Sequence, residues 1–175
     1  MSHISIQLAS SEDAQPIRLV QHDTWIKTYP NEQLGITLQA IQKRVSKNFS
    51  PESIKKMEET IADVDKRTWV AKDDLKVIGY CTVAKNKDIN HLEAIYIFPE
   101  YHGINVGNML LEPALKWLGN EKDIIVEVAS YNHRAIRFYE KNNFKKNGVT
   151  GESKGIPTVN LVKAKHANNH FAKKD

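Results

Sequence analysis

The chain has 175 residues and a mass of 20.0 kDa, the size of one domain, with 41% hydrophobic and 26% charged residues. That composition excludes collagen-like, mucin-like and wholly disordered chains. The formal charge of +4 is spread unevenly: residues 1–65 carry −2, residues 66–129 carry −1 and residues 130–175 carry +7. The lone cysteine, Cys81, has no partner for an internal disulfide, and no Cys/His spacing suggests a metal site. The first residues lack a basic head followed by an apolar run, so no signal peptide is expected. No apolar stretch approaches the roughly 20 residues that span a bilayer. A cytoplasmic protein without membrane or nucleic-acid partners is the expectation.

Along the chain, His3–Ala9 alternates apolar and polar residues as a first strand does. Ser10 and Asp13 form a helix-cap pattern, and Ala14, Ile17 and Val20 follow at helical spacing to about Lys27. Leu34, Leu38, Ile41 and Val45 predict a second helix over 31–47, and Ser50-Pro51 opens a third that ends near Ala62. Strands are expected at Arg67–Ala71 and Lys76–Ala84, flanking a turn at Lys72-Asp73-Asp74. A further strand, Asn90–Phe98, stops at Pro99. Val106–Gly119 is helical, with a kink expected at Pro113. Asp123–Ala129 reads as a buried parallel strand, Asn132–Asn142 as a short helix, and Phe144–Val149 and Thr158–Ala164 as closing strands. The pattern predicts one α/β domain over residues 1–164 with a mixed sheet, and a flexible basic tail at 165–175.

The stretch Leu92–Leu111 is a strand, a proline stop, a loop with Gly103 and Gly107, and a helix opening near Val106. Such a junction turns several backbone N–H groups and the positive end of a helix dipole into one space, which suits an anion. Gly107 has no Cβ to hold a ligand away from the backbone.

Two motifs then carry a resemblance. Asn132, Ala135, Phe138, Tyr139 and Phe144 match the N-x-x-A-x-x-F-Y-x-x-x-G-F signature of the GNAT superfamily of acyl-CoA-dependent N-acetyltransferases. Pro99, Glu100, Tyr101 and Gly107 match its pyrophosphate loop, P-E-Y-R/Q-x-x-G-x-G/A. The element order also resembles the family's, which implies a mostly antiparallel sheet of about seven strands in the order β-α-α-β-β-β-α-β-α-β-β. The sequence departs from the pattern at His102, Asn105 and Asn143, which replace an arginine or glutamine and two glycines. Asn tolerates positive φ better than most residues, so both turns can persist.

The resemblance implies acetyl-CoA as co-substrate, no metal, and direct attack of an amine on the thioester. It places pantetheine along the backbone of Ile95 and Ile97, and the pyrophosphate at His102, Gly103, Ile104, Asn105, Val106, Gly107 and Asn108. Asn132 would bond the pantetheine arm, and Tyr139 falls at the general-acid position. Arg134, Arg137 or Lys141 supply charge for the phosphates. Strand alternation puts His91, Glu93, Ile95 and Ile97 on one face, and the resemblance, in which several members carry a glutamate at or near these positions, implies Glu93 or His91 as the base. QHDTWIKTYP resembles a segment of PaiA-like polyamine acetyltransferases, so Asp23, Trp25 and Tyr29 are candidate residues for a small amine or polyamine. The alternatives are acetylation of a protein N-terminus or lysine, and a CoA sensor without catalysis. A homodimer is an assembly common in the family.

Overall fold

The computed structural model describes residues 3–165, so the basic segment 165–175 lies, apart from Lys165, outside the described residues. Seven strands form one sheet: β1 (Ile4–Leu8), β2 (Lys66–Asp73), β3 (Lys76–Ala84), β4 (Asn90–Ile97), β5 (Ile124–Ala129), β6 (Lys145–Ser153) and β7 (Ile156–Lys163). Their spatial order is β1-β2-β3-β4-β5-β7-β6, antiparallel everywhere except between β4 and β5. Five helices flank it: α1 (Ala14–Thr28), α2 (Leu38–Val45), α3 (Pro51–Ala62), α4 (Val106–Leu118) and α5 (His133–Lys141). α4 packs against β2, β3 and β4, while α1 covers β3 and β4 and is backed by α2 and α3. This is the mixed, mostly antiparallel seven-stranded sheet that the resemblance implies, with one helix more between β1 and β2.

The helix starts follow from their caps. Ser10 and Asp13 form the expected capping box, and Asp13, only 4% exposed, also takes the Lys72 ammonium at 2.8 Å. Lys72 is therefore a strand residue that anchors α1 to β2, and the β2–β3 turn narrows to Asp74-Leu75. Ser50 caps α3 by accepting from the Ser53 amide at 3.2 Å, with Pro51 in the first turn. The helix predicted over 31–47 is shorter. Gly35 sits at φ 67° and ends a 3-10 turn at Glu32–Leu34, so α2 opens only after the Thr37 cap and Leu34 stays outside it. α4 runs through Pro113 as one helical element.

The closing strands are longer than alternation suggests. β6 and β7 meet in a two-residue turn, Lys154-Gly155, with φ 52° and 70°. Two successive positive φ values are the hairpin-matched turn geometry, and Gly155 supplies one of them at no steric cost. The strand expected at Phe144–Val149 runs on to Ser153, and the polar run KKNGVTGES hides that extent because β6 lies at the sheet edge and is exposed along nearly its whole length.

The feature that positions the site is where β4 and β5 part. They pair only at Asn90↔Ile124, His91↔Ile125 and Leu92↔Val126. Beyond Leu92 and Val126 the strands diverge, and β4 continues to Ile97 without a partner on that side.

Candidate active site

The gap between the diverging strands opens into a cleft of about 500 Å³, bounded by β4, β5, the loop 99–108 and α5. The Phe98 amide donates to the Ile78 carbonyl across β3. Antiparallel alternation therefore turns the backbone polar groups of Ile97 and Ile95 away from β3 and into the gap. The Ile97 carbonyl is met there by His102 Nε2 at 3.0 Å, which leaves its amide and the peptide groups of Ile95 as free strand edge.

The loop is shaped for an anion. After the turn Pro99–Tyr101, Gly103 takes φ 83° and Asn105 φ 70°, so asparagine keeps the left-handed conformation expected at that position. The His102 amide donates to the Pro99 carbonyl, and the first bond inside α4 is from the Met109 amide to the Asn105 carbonyl. Between them, the amides of Gly103, Ile104, Asn105, Val106, Gly107 and Asn108 have no acceptor among the described residues. Six successive unpaired N–H groups at a helix N-terminus form a positive cradle. Asn105 Oδ1 accepts from Asn108 Nδ2 at 2.6 Å, and Asn108 Oδ1 from Asn142 Nδ2 at 3.1 Å, which braces the loop against α5.

Arg134, Arg137 and Lys141 on α5 line the same cleft. Arg134 donates to His102 Nδ1, so the ring carries its proton on Nε2, which donates to the Ile97 carbonyl. Burial first, and the Arg134 guanidinium second, push the His102 pKa below its ordinary 6.5. His102 thus bridges Arg134 to the end of β4.

Gly107 has a different reason from the one expected. A Cβ there would stand 2.9 Å from the Phe138 ring, so the glycine lets α4 and α5 close on each other. Asn132, which lines the cleft, is likewise engaged: its Oδ1 caps α5 by accepting from the Ala135 amide at 3.1 Å, and its NH₂ has no partner among the described residues. Ile104 is 55% exposed and its side chain lies outside the cleft. Asn143 takes φ 66°, and its turn delivers Phe144 into the core beside Tyr139.

Tyr139 is 4% exposed, sits between Phe138 and Phe144, and lines the cleft. Burial pushes its phenol well above the usual range, with Cys81 and Tyr96 adding to the shift. The hydroxyl therefore keeps its proton at any working pH. Its side chain makes no hydrogen bond among the described residues.

Strict alternation along β4 fails at one residue. The β3–β4 register slips between Thr82 and Val83, and Glu93 is the extra residue, a β-bulge. Beyond the slip, His91 falls on the face of Ala94 and Tyr96, toward α1, whereas Ile95 and Ile97 face α4. His91 and Ile95 are thus on opposite faces, against the expectation. The Glu93 carboxylate takes the Lys66 ammonium at 2.7 and 2.9 Å. The sequence reading also missed Glu127. It follows Val126, the last residue of β5 paired to β4, so Glu127 and Glu93 flank the fork where the strands part. The apolar run around Glu127 concealed it.

A second hollow, of about 440 Å³, shares Tyr29, Glu93, Ala94, Tyr96, Glu127 and Ala129 with the first and extends toward α1 and the β6–β7 turn. His91, Trp25 and Lys154 line it. Trp25 and Tyr29 meet edge to face at 4.9 Å, and the Tyr29 hydroxyl lies 3.1 Å from that of Tyr96. The Lys154 ammonium lies over the Trp25 ring at 5.3 Å. Asp23 lines neither hollow and instead pairs with His22 Nδ1 at 2.8 Å.

The sequence pattern of the Acetyltransferase (GNAT) family matches residues 36–144, more than half of the chain, and the protein belongs to that family. An uncharacterized N-acetyltransferase of Mycobacterium tuberculosis is 30% identical over 103 residues, 52% of this chain and 60% of that protein. The match thus spans well under two thirds of that relative's length. The peptidyl-lysine N-acetyltransferase YjaB of Salmonella typhimurium is 30% identical over 115 residues, 61% of this chain and 72% of YjaB. PaiA N-acetyltransferase from Thermoplasma acidophilum, solved in complex with coenzyme A, shares the fold. Its TM-score is 0.73 at 22% identity, over 94% of this chain and 99% of that one.

Proposed function

We propose that the protein transfers an acetyl group from acetyl-CoA to the primary amine of a small molecule, with both substrates bound at once. The observation that carries this reading is the coincidence, in one cleft, of a free β4 edge with six unpaired amides beside Arg134, Arg137 and Lys141. A pantetheine arm is a chain of amides, which suits an unpaired strand edge. A pyrophosphate suits the amide cradle and its cations. The residues present therefore fit coenzyme A, whose acetylated form supplies an activated thioester.

The chain's own groups supply the proton chemistry. An amine attacks only as the free base, so a carboxylate or ordered water must take its proton. Glu127 stands at the fork with no ion-pair partner among the described residues, whereas Glu93 is held by Lys66. Glu127 therefore receives the proton, Glu93 stays in its ion pair with Lys66, and His91 lines only the acceptor half. Tyr139, kept protonated by burial, donates to the departing sulfur.

The polyamine expectation rests on Trp25, Tyr29 and Asp23. Lys154 over Trp25 and the turn of Asp23 toward His22 weaken two of these three supports. A protein lysine is the second reading, favoured by the similarity to YjaB, whose name gives it that substrate. Thiol release from acetyl-CoA, followed with a panel of amines and a lysine peptide, tests both. Release with small amines that drops in Tyr139→Phe supports the proposal. Release only with the peptide favours the second reading, and CoA binding without release under any acceptor favours a sensor.

A further inference from the structure

A third hollow, of about 490 Å³, adjoins the acceptor half of the site and shares Gln21, Trp25, Glu93, Ala94 and Lys154 with it. Its walls carry Arg18, Arg44, Lys47, Lys56, Lys66 and Lys154 against one carboxylate, Glu93. Glu93 is already bonded to Lys66, and the other five cations have no ion-pair partner among the described residues. They come from α1, α2, the connection after it, α3 and the β6–β7 turn, so only the fold brings them together. Five like charges lining one crevice raise its potential, and Glu52, in the first turn of α3, lies close enough to Lys47 to offset part of it.

Arg18 is the most telling of the five. Its guanidinium donates only to neutral acceptors, the Ser53 carbonyl at 3.1 and 3.0 Å and Gln21 Oε1 at 2.8 Å. Three of its five N–H groups are used, and partial burial disfavours its charge. Two of its N–H groups remain free to meet an anion from outside. The charge order across the acceptor side also has a direction: Glu93 and Glu127 stand at the fork, whereas Arg18, Arg44, Lys47 and Lys56 line the third hollow and neither of the two that meet at the fork. An ammonium is drawn to the fork and an anion to the crevice. A diamine would put its second charge among the five cations.

We propose that the acceptor is a primary amine that also carries an anionic group, a carboxylate or a phosphate, seated in this crevice while the amine reaches the fork. This rests on the transferase reading above and specifies its substrate class.

The test uses the full chain saturated with CoA, to which phosphoethanolamine, γ-aminobutyrate, butylamine and putrescine are titrated calorimetrically; acetylation rates are measured in parallel. An anionic amine is expected to bind at least tenfold tighter than butylamine, and the two anionic probes distinguish phosphate from carboxylate. The charge-reversed pair K47E/K56E, at two exposed positions, should lower that preference at least tenfold. R44Q gives a milder second reading should the double variant fold poorly. Butylamine or putrescine binding as tightly as the anionic amines would overturn the proposal, as would a preference that survives both variants. Tight anionic binding without acetyl transfer would keep the crevice assignment and refute the transferase reading. Acetylation of small amines with no anionic preference would do the reverse.

Discussion

The two halves of the cleft are built on different principles. On the side proposed for the cofactor the unpaired groups are mostly backbone: the amides of residues 103–108 and the free edge of β4. One loop and one strand supply them, and the side chains around them chiefly hold that backbone in shape. On the acceptor side the groups are side chains drawn from α1, α2, α3, β4, β5 and the β6–β7 turn. The first design depends on local geometry and tolerates exchange of residues that keep it, as His102 and Asn105 show. The second depends on charge and on distant segments meeting.

The sharpest way to separate the halves is at the point where they join. Tyr139→Phe removes the proposed acid and leaves both walls, so kcat should fall by about 10²-fold with CoA affinity nearly unchanged, measured by steady-state kinetics and calorimetry. Gly107→Ala attacks the cofactor side through packing. Its methyl group would overlap the Phe138 ring, at a cost of about 1–3 kcal/mol. Chemical denaturation and CoA titration should both register it, and an unchanged CoA affinity would break the link between helix closure and cradle.

Arg134→Ala should weaken CoA about tenfold, the effect of one lost charge-assisted hydrogen bond, and reduce the salt dependence of binding. The same substitution should matter less for dephospho-CoA if Arg134 meets the 3′-phosphate, and equally if it meets the pyrophosphate.

The smallest expected effect is a pH dependence at His102. Its folded-state pKa lies below the ordinary 6.5, so the unfolded chain binds the proton more readily. The neutral ring's contribution is complete above that ordinary value and is lost as pH falls toward the folded pKa. Thermal melting from pH 8 to 5.5 should show a steeper decline for the wild type than for His102→Gln.

This contrast also explains what could be read from the sequence. The cofactor side was legible because local geometry leaves local signatures: a proline stop, glycines, asparagines able to adopt positive φ, and the Asn132 cap with its helix. The β4 bulge was not, since a register slip depends on pairing with β3; it moved His91 to the other face from Ile95. Nor was Glu127, hidden in an apolar run, or the basic crevice, whose six cations are scattered between Arg18 and Lys154. Leu34 fitted a helical period, but Gly35 broke the helix before it could join. β6 was read only as far as Val149, because an exposed edge strand need not alternate.

The central claim is that the amides between the end of β4 and the first turn of α4 hold the phosphates of coenzyme A. Backbone ¹H–¹⁵N spectra recorded through a CoA titration test it directly. The account predicts saturable shifts at Gly103, Ile104, Asn105, Val106, Gly107 and Asn108, with Ile95 moving at the strand edge. Saturable binding that leaves these amides unmoved and shifts resonances elsewhere would contradict it.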